Sequence, residues 1–337
     1  MRPNNLITSL NHYRRGQLTI DLFHKLKNPS GLLGKTKPSQ AVCMRLSKEE
    51  GRQIVPTQSP ARSIYVGSLI LFSWIILNIN IGFAEMLSTY SINSELINNL
   101  LPKIDKTSLV LISIDNTIIK PKSKMFNYGS AYRGFIEELR AAAKYAPFMA
   151  NEAIAKLIVQ RQMILVEKEW PHFINQLKAT GALVLGIIKV NPACKQINNF
   201  PAWQYQQLSN LGIKFTEKVN NKEIFRFEET NINSPLFYQG IIFTSTISHA
   251  ATLEQFLSII HLPLKNIIFF DSVESEIKAI NYLLRTVDLD YYGVEYLAIT
   301  NISDTSSPEV MQFQQQRLLK TGEWLEDEVA QKLMKSE

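Results

Sequence analysis

Three polar clusters in this 337-residue chain stand at the ends of apolar runs, where side chains are placed to do chemistry. The run SLVLISI, residues 108–114, ends in Asp115-Asn116-Thr117. A second run closes in Thr244-Ser245-Thr246, and a third, NIIFF, closes in Asp271-Ser272. Carboxylates can exchange protons or hold hard cations, and hydroxyls can bind oxyanions. Zinc chemistry lacks its usual ligands, since the chain has no CxxC, no HExxH and no histidine cluster. Cys43 and Cys194 fall on opposite sides of an apolar segment, and a lone Cys194 reads as a packing residue.

The elements that must position these clusters alternate between strand and helix. Continuous apolar runs at 108–114, 182–189, 240–244, 266–270 and 293–299 suit strands buried on both faces. Helical pattern covers 94–101, 198–211, 250–260, 273–285, 309–319 and 323–334. A long helix-rich stretch runs from about 129 to 180, and 214–227, with Asn220-Asn221 inside it, reads as a hairpin. This alternation predicts an α/β fold: a Rossmann-like, mostly parallel sheet with helices on both faces and an inserted helical cap. Ligands of such sheets bind at the carboxyl ends of strands, near a switch in strand order. All three polar clusters would lie there.

Charge is divided unevenly along the chain. Residues 1–62 hold 11 Lys and Arg against 3 Asp and Glu, whereas the remainder holds 25 against 27. The body therefore carries no nucleic-acid footprint, and no nucleic-acid partner is expected. With 45% hydrophobic and 20% charged residues, the chain has the composition of a globular protein. Residues 64–77, IYVGSLILFSWIIL, carry no charge. Arg62 precedes them, and Gly82-Phe83-Ala84 follows. That order is one of a secretory signal cut after Ala84, and the uncharged run is also long enough for a membrane anchor. A buried core helix is the bland alternative. Either signal or anchor places residues 85–337 outside the cytoplasm, with membrane contact through 64–84 if the segment is not cleaved. Residues 1–62 read as a basic disordered segment, a cytoplasmic tail or an over-long start with Met44 nearer the true beginning.

LVLISIDNTI resembles the first motif of the haloacid-dehalogenase superfamily, an apolar strand ending in Asp-x-Asp-x-Thr. NIIFFDSVESEI resembles its fourth motif. NYGSAYRGFIEEL, VEKEWPHFINQLKATGALVLGI, YYGVEYL and GEWLEDEVAQKL are similar to an uncharacterised, usually exported bacterial branch with a helical cap between the first and second motifs. The resemblance covers roughly residue 94 to the C-terminus. It implies a domain over 85–337 with a cap insertion at about 129–180. In an active member the first Asp attacks phosphorus, the second Asp serves as acid and base, a Ser or Thr binds phosphate, a Lys neutralises charge, and acidic residues hold Mg²⁺.

Carried over residue by residue, the resemblance puts Ser113 at the nucleophile position, Asp115 at the acid/base position and Thr117 at its place beside them. It puts Ile188 where the phosphate-binding hydroxyl belongs and offers His249 where a lysine should precede LEQFL. Asp115, Asp271 and Glu276 remain as a weak Mg²⁺ set. A serine without an activating base is a poor nucleophile, and the missing parts normally act as one unit. The expectation is a non-catalytic, phosphatase-like binding or interaction module. The alternative is a divergent Mg²⁺-dependent phosphohydrolase, a phosphoric ester hydrolase.

Overall fold

The computed structural model describes residues 83–192, 197–285 and 287–336. The basic segment, the apolar segment 64–77, Cys43 and Cys194 lie outside the described residues. Among the described residues no helix is long and apolar enough to cross a membrane.

The chain runs β1 (Ala84–Thr89), α1 (Glu95–Leu100), β2 (Ser108–Ser113), β3 (Ile119–Pro121), α2 (Phe135–Ala142), α3 (Pro147–Gln160) and β4 (Met163–Leu165). It continues through α4 (Trp170–Ala179), β5 (Leu183–Ile188), α5 (Phe200–Asn210), β6 (Ile224–Arg226), β7 (Leu236–Tyr238) and β8 (Ile241–Phe243). It ends with α6 (His249–Ile260), β9 (Asn266–Asp271), α7 (Glu274–Leu284), β10 (Asp290–Tyr296), α8 (Pro308–Thr321) and α9 (Asp327–Met334). Eight strands form one sheet in the order β1-β10-β9-β2-β5-β8-β7-β6. The first six are mutually parallel, and β7 and β6 add an antiparallel edge. The fold is therefore the expected α/β class.

Strand β2 is the switch point. The chain leaves it for β5 and β8 on one side, and the later strands β9 and β10 lie on the other. Connections that diverge from one strand leave a crevice at its carboxyl end. Every residue of β2 is buried, as a strand covered on both faces requires.

The two faces hold separate apolar clusters. Val110, Ile112, Val184 and Phe270 meet Trp170, Phe173 and Leu177 of α4 and Phe200 and Leu208 of α5. Leu109, Leu111, Ile187 and Phe269 meet Leu253 and Phe256 of α6 and Ile277 and Ile280 of α7. Each such side chain contributes about 1.5–3 kcal/mol on burial.

The cap differs from its expected limits. Between 129 and 180, β4 interrupts the helices by pairing antiparallel with β3, and α4 belongs to the sheet's face rather than to a cap. What remains, α2 and α3, is completed by the far end of the chain. Phe135, Leu139, Ala153 and Leu157 pack with Met311 and Leu318 of α8 and with Trp324. An amphipathic helix pair cannot bury its apolar stripe alone, and the C-terminal helices supply the second layer.

Other boundaries moved too. Asn220 and Asn221 do make a tight turn, with φ of 50° and 62° and a bridge from Val219 to Lys222. The hairpin, however, pairs β6 with β7 beyond that turn. Strand β10 begins at Asp290, ahead of the expected 293, and the last helix begins at Asp327 rather than 323. Strand β1 was not expected at all; it pairs in parallel with β10.

Candidate functional site

Beyond β2 the chain turns sharply. Asn116 adopts the left-handed conformation, φ 62°, and its N–H donates to the Ile119 carbonyl at 2.8 Å. Asparagine tolerates this region better than most residues. The turn carries Asp115, at the sheet edge, into the lining of a cavity of about 430 Å³. The turn before α2, helix α2 and the residue after α3 supply further wall, with Arg133, Glu137, Arg140 and Arg161. Ile119, Phe126, Ile136 and Met163 make the apolar part of the lining.

Asp115 reaches water inside the cavity, yet the walls enclose it. That enclosure holds its carboxyl above the ordinary aspartate range. Arg161, Arg140 and His249 pull it back, and the nearby Asp271 raises it further. Burial likewise works against the Arg161 guanidinium, lowering it from its ordinary value, while Asp115 and Glu326 support its charge and Arg140 opposes it. Its Nε is closed to solvent and has no hydrogen-bond partner. Arg140 Nη1 donates to both Glu137 carboxylate oxygens at 2.7 and 2.9 Å. The Arg133 guanidinium sits 4.8 Å from the centre of the Tyr128 ring.

A second polar group occupies the crevice at the strand ends. Asp271 closes β9 and is 1% exposed. Its Oδ1 accepts the Val273 N–H at 3.0 Å, and its Oδ2 lies 3.2 Å from His249 Nδ1. Glu276 Oε2 lies 3.8 Å from the same nitrogen, and Glu276 Oε1 lies 3.3 Å from Lys189 Nζ. Five buried polar atoms of this crevice have no hydrogen-bond partner: Thr117 Oγ1, Thr244 Oγ1, Ser245 Oγ, His249 Nε2 and Glu276 Oε2. Buried polar atoms are paired in most proteins, so a concentration of unpaired ones marks a place where a ligand or water completes the set.

A family model described as a protein of unknown function, DUF2608, matches residues 90–331. The chain belongs to that family. The DUF2608 region contains every residue of the cavity and of the strand-end crevice. The chain is also similar to the uncharacterised protein RP296 of Rickettsia prowazekii (strain Madrid E), at 44% identity over 254 residues, which is 75% of this chain and 92% of the relative. No solved structure matches.

Within the DUF2608 region, the residues singled out from sequence divide. Strands β2 and β9 are parallel neighbours paired through Ile112 and Phe270. Ser113 and Asp271 follow that pair directly, so Ser113, Asp115 and Asp271 gather at one sheet edge. Thr117 is fully buried nearby. His249, read from the missing lysine, contacts Asp271. One reading is corrected. Ile188 does not face the site: it packs in the apolar cluster with Ile112, Val184 and Phe243, on the face opposite the one that Leu109, Leu111 and Ser113 present. Alternation along the strand forces this, and the residue facing the crevice is Lys189.

Among the described residues no three His, Cys, Asp or Glu side chains are grouped to hold a metal ion. Asp271 is bonded to Val273 and His249, and Glu276 pairs with Lys189. Sequence reasoning also missed Arg133, Arg140 and Arg161. Arg133 lies in the turn before α2 and Arg140 on the helix itself, so no sequence spacing joined them.

Proposed function

We propose that this DUF2608 protein is a phosphatase-like member of the haloacid-dehalogenase fold group that binds a ligand without hydrolysing phosphate esters. The observation that carries this reading is Ser113 at the end of β2, directly beside Asp271, where phosphoryl transfer to an aspartate needs a carboxylate. The one imidazole on that face turns Nδ1 toward Asp271, and its Nε2 is unpartnered, so no hydrogen bond joins it to Ser113. A serine hydroxyl without a base is a weak nucleophile. The cavity above Asp115, with its cap of α2 and α3, supports a binding role.

The divergent phosphohydrolase remains the second reading. Asp115 favours it, because a carboxyl raised by enclosure is suited to act as a general acid. Trapping separates the two. The full-length protein is incubated with acetyl phosphate and Mg²⁺, and the peptide spanning 108–120 is read by mass spectrometry. The non-hydrolytic reading expects no phosphoryl adduct on wild type. An adduct on Ser113 or Asp115 overturns it.

Export or anchoring through 63–84 belongs to the same proposal. Its support is that the sheet begins at Ala84, the last residue of the small-x-small sequence, so that nearly all of β1 follows the cut.

A further inference from the structure

We propose that the cavity under the helical cap is a receptor for a small organic carboxylate, with Arg161 holding the carboxylate and the apolar walls holding the rest of the molecule. The inference stands on this cavity alone and does not require the phosphatase-like reading.

Arg161 is the reason a ligand is needed. It follows α3 at the cavity wall, and its Nε is buried with no acceptor in the protein. Asp115 and Glu326 support its charge, its Nε is closed to solvent, and the two terminal nitrogens of its planar fork match a carboxylate in two parallel hydrogen bonds.

The other charges of the lining favour a ligand with a single negative charge. Arg140 is satisfied by Glu137 on the same helix, at 2.7 Å, and the pair is neutral. Arg133 lies against Tyr128. With the carboxylate of Asp115 ionised, the three arginines and two acids of the lining leave one net positive charge. One negative charge balances it. A phosphate monoester carrying two charges would overbalance the site and meet the Asp115 carboxylate across it. A monoanionic carboxylate balances the charge and meets Asp115 with half that repulsion.

The apolar lining fixes the remainder. Ile119, Phe126, Ile136 and Met163 face the same space. A volume of about 430 Å³ is in the range of small-molecule sites, so an aliphatic or aromatic acid fits and a bare inorganic anion leaves the walls unused.

The test is isothermal titration of the full-length protein with octanoate, benzoate, phenyl phosphate and inorganic phosphate. At least one of the two carboxylates is expected to bind at one site, with phenyl phosphate at least about tenfold weaker. Arg161→Met is expected to weaken the carboxylate at least about tenfold. Should that variant fail to fold, Ile136→Trp keeps the guanidinium, fills the cavity from α2 and is expected to abolish binding. No heat from either acid, phenyl phosphate binding as tightly as the acids, or unchanged affinity in both variants overturns the proposal. A phosphatase assay on the same sample reads the phosphatase-like reading separately, since carboxylate binding fails or succeeds whatever that assay gives.

Discussion

Asp271 Oδ2 and His249 Nδ1 lie 3.2 Å apart in a crevice where both side chains are almost wholly buried. The pair spans the step from α6 to the end of β9. The imidazole, edge-on to Phe269 at 5.9 Å, therefore locks a helix to the sheet. Its first role is structural, and a stability measurement reads it.

Replacing His249 with leucine strands an Asp271 oxygen in a buried site. The expected loss is about 1–3 kcal/mol, the cost of leaving a buried polar group unsatisfied. Adding Asp271→Asn, which keeps an acceptor for the Val273 N–H, is expected to recover part of that loss. Urea unfolding of the single and double variants measures the coupling. A loss under about 1 kcal/mol for His249→Leu contradicts the assignment.

Ile188→Thr distinguishes a core residue from a phosphate ligand. Its side chain lies among Ile112, Val184 and Phe243, so the hydroxyl would be buried without a partner. The expected cost is about 1–3 kcal/mol, with carboxylate binding in the cap cavity unchanged. A gain of phosphate binding with unchanged stability would instead place residue 188 in the site.

Asp327 ties the two halves of the cap together. Its Oδ1 accepts from Ser123 Oγ at 2.6 Å and Gln314 Nε2 at 2.8 Å, and its Oδ2 accepts from Ser306 Oγ at 2.7 Å and the Lys124 N–H at 2.9 Å. Burial alone raises its carboxyl, but these hydrogen bonds outweigh burial and hold it below the ordinary value. A depressed native pKa contributes stability that is present above the unfolded value of 3.8 and lost as pH falls through the native one. Urea midpoints are expected to fall with acid below about pH 4 in wild type and to fall less in Asp327→Asn. Identical acid slopes in the two proteins would contradict this role.

Export with cleavage after Ala84 would leave Glu85 as the first residue. Glu85–Thr89 would still pair with Tyr292–Tyr296 of β10, so β1 survives the cut. N-terminal sequencing of soluble and membrane fractions is expected to find Glu85 first in the exported protein. An intact chain confined to the cytosol would rule out both signal and anchor.

Much of the scaffold was legible because each buried parallel strand is a continuous apolar run with one meaning. The polar ends of two such runs placed Ser113, Asp115 and Asp271 correctly, since parallel neighbours share an edge. The cap was misjudged because helical composition does not say what a helix packs against. Trp170 turns α4 onto the sheet, while Met311, Leu318 and Trp324 bring α8 to α2 and α3 from more than a hundred residues away. Ile188 was misassigned by one position along a strand, and one position reverses the face. Strand β1 escaped notice because AEMLST is no apolar run, and only Thr89 of this edge strand is buried. The arginines were invisible as a group until the fold closed a cavity around them.

The most direct test of the central claim is turnover of p-nitrophenyl phosphate by the full-length protein, with and without Mg²⁺. A non-hydrolytic, ligand-binding protein gives the rate of buffer alone in both conditions. Mg²⁺-dependent turnover that Asp115→Asn abolishes would contradict that account and establish a divergent phosphohydrolase.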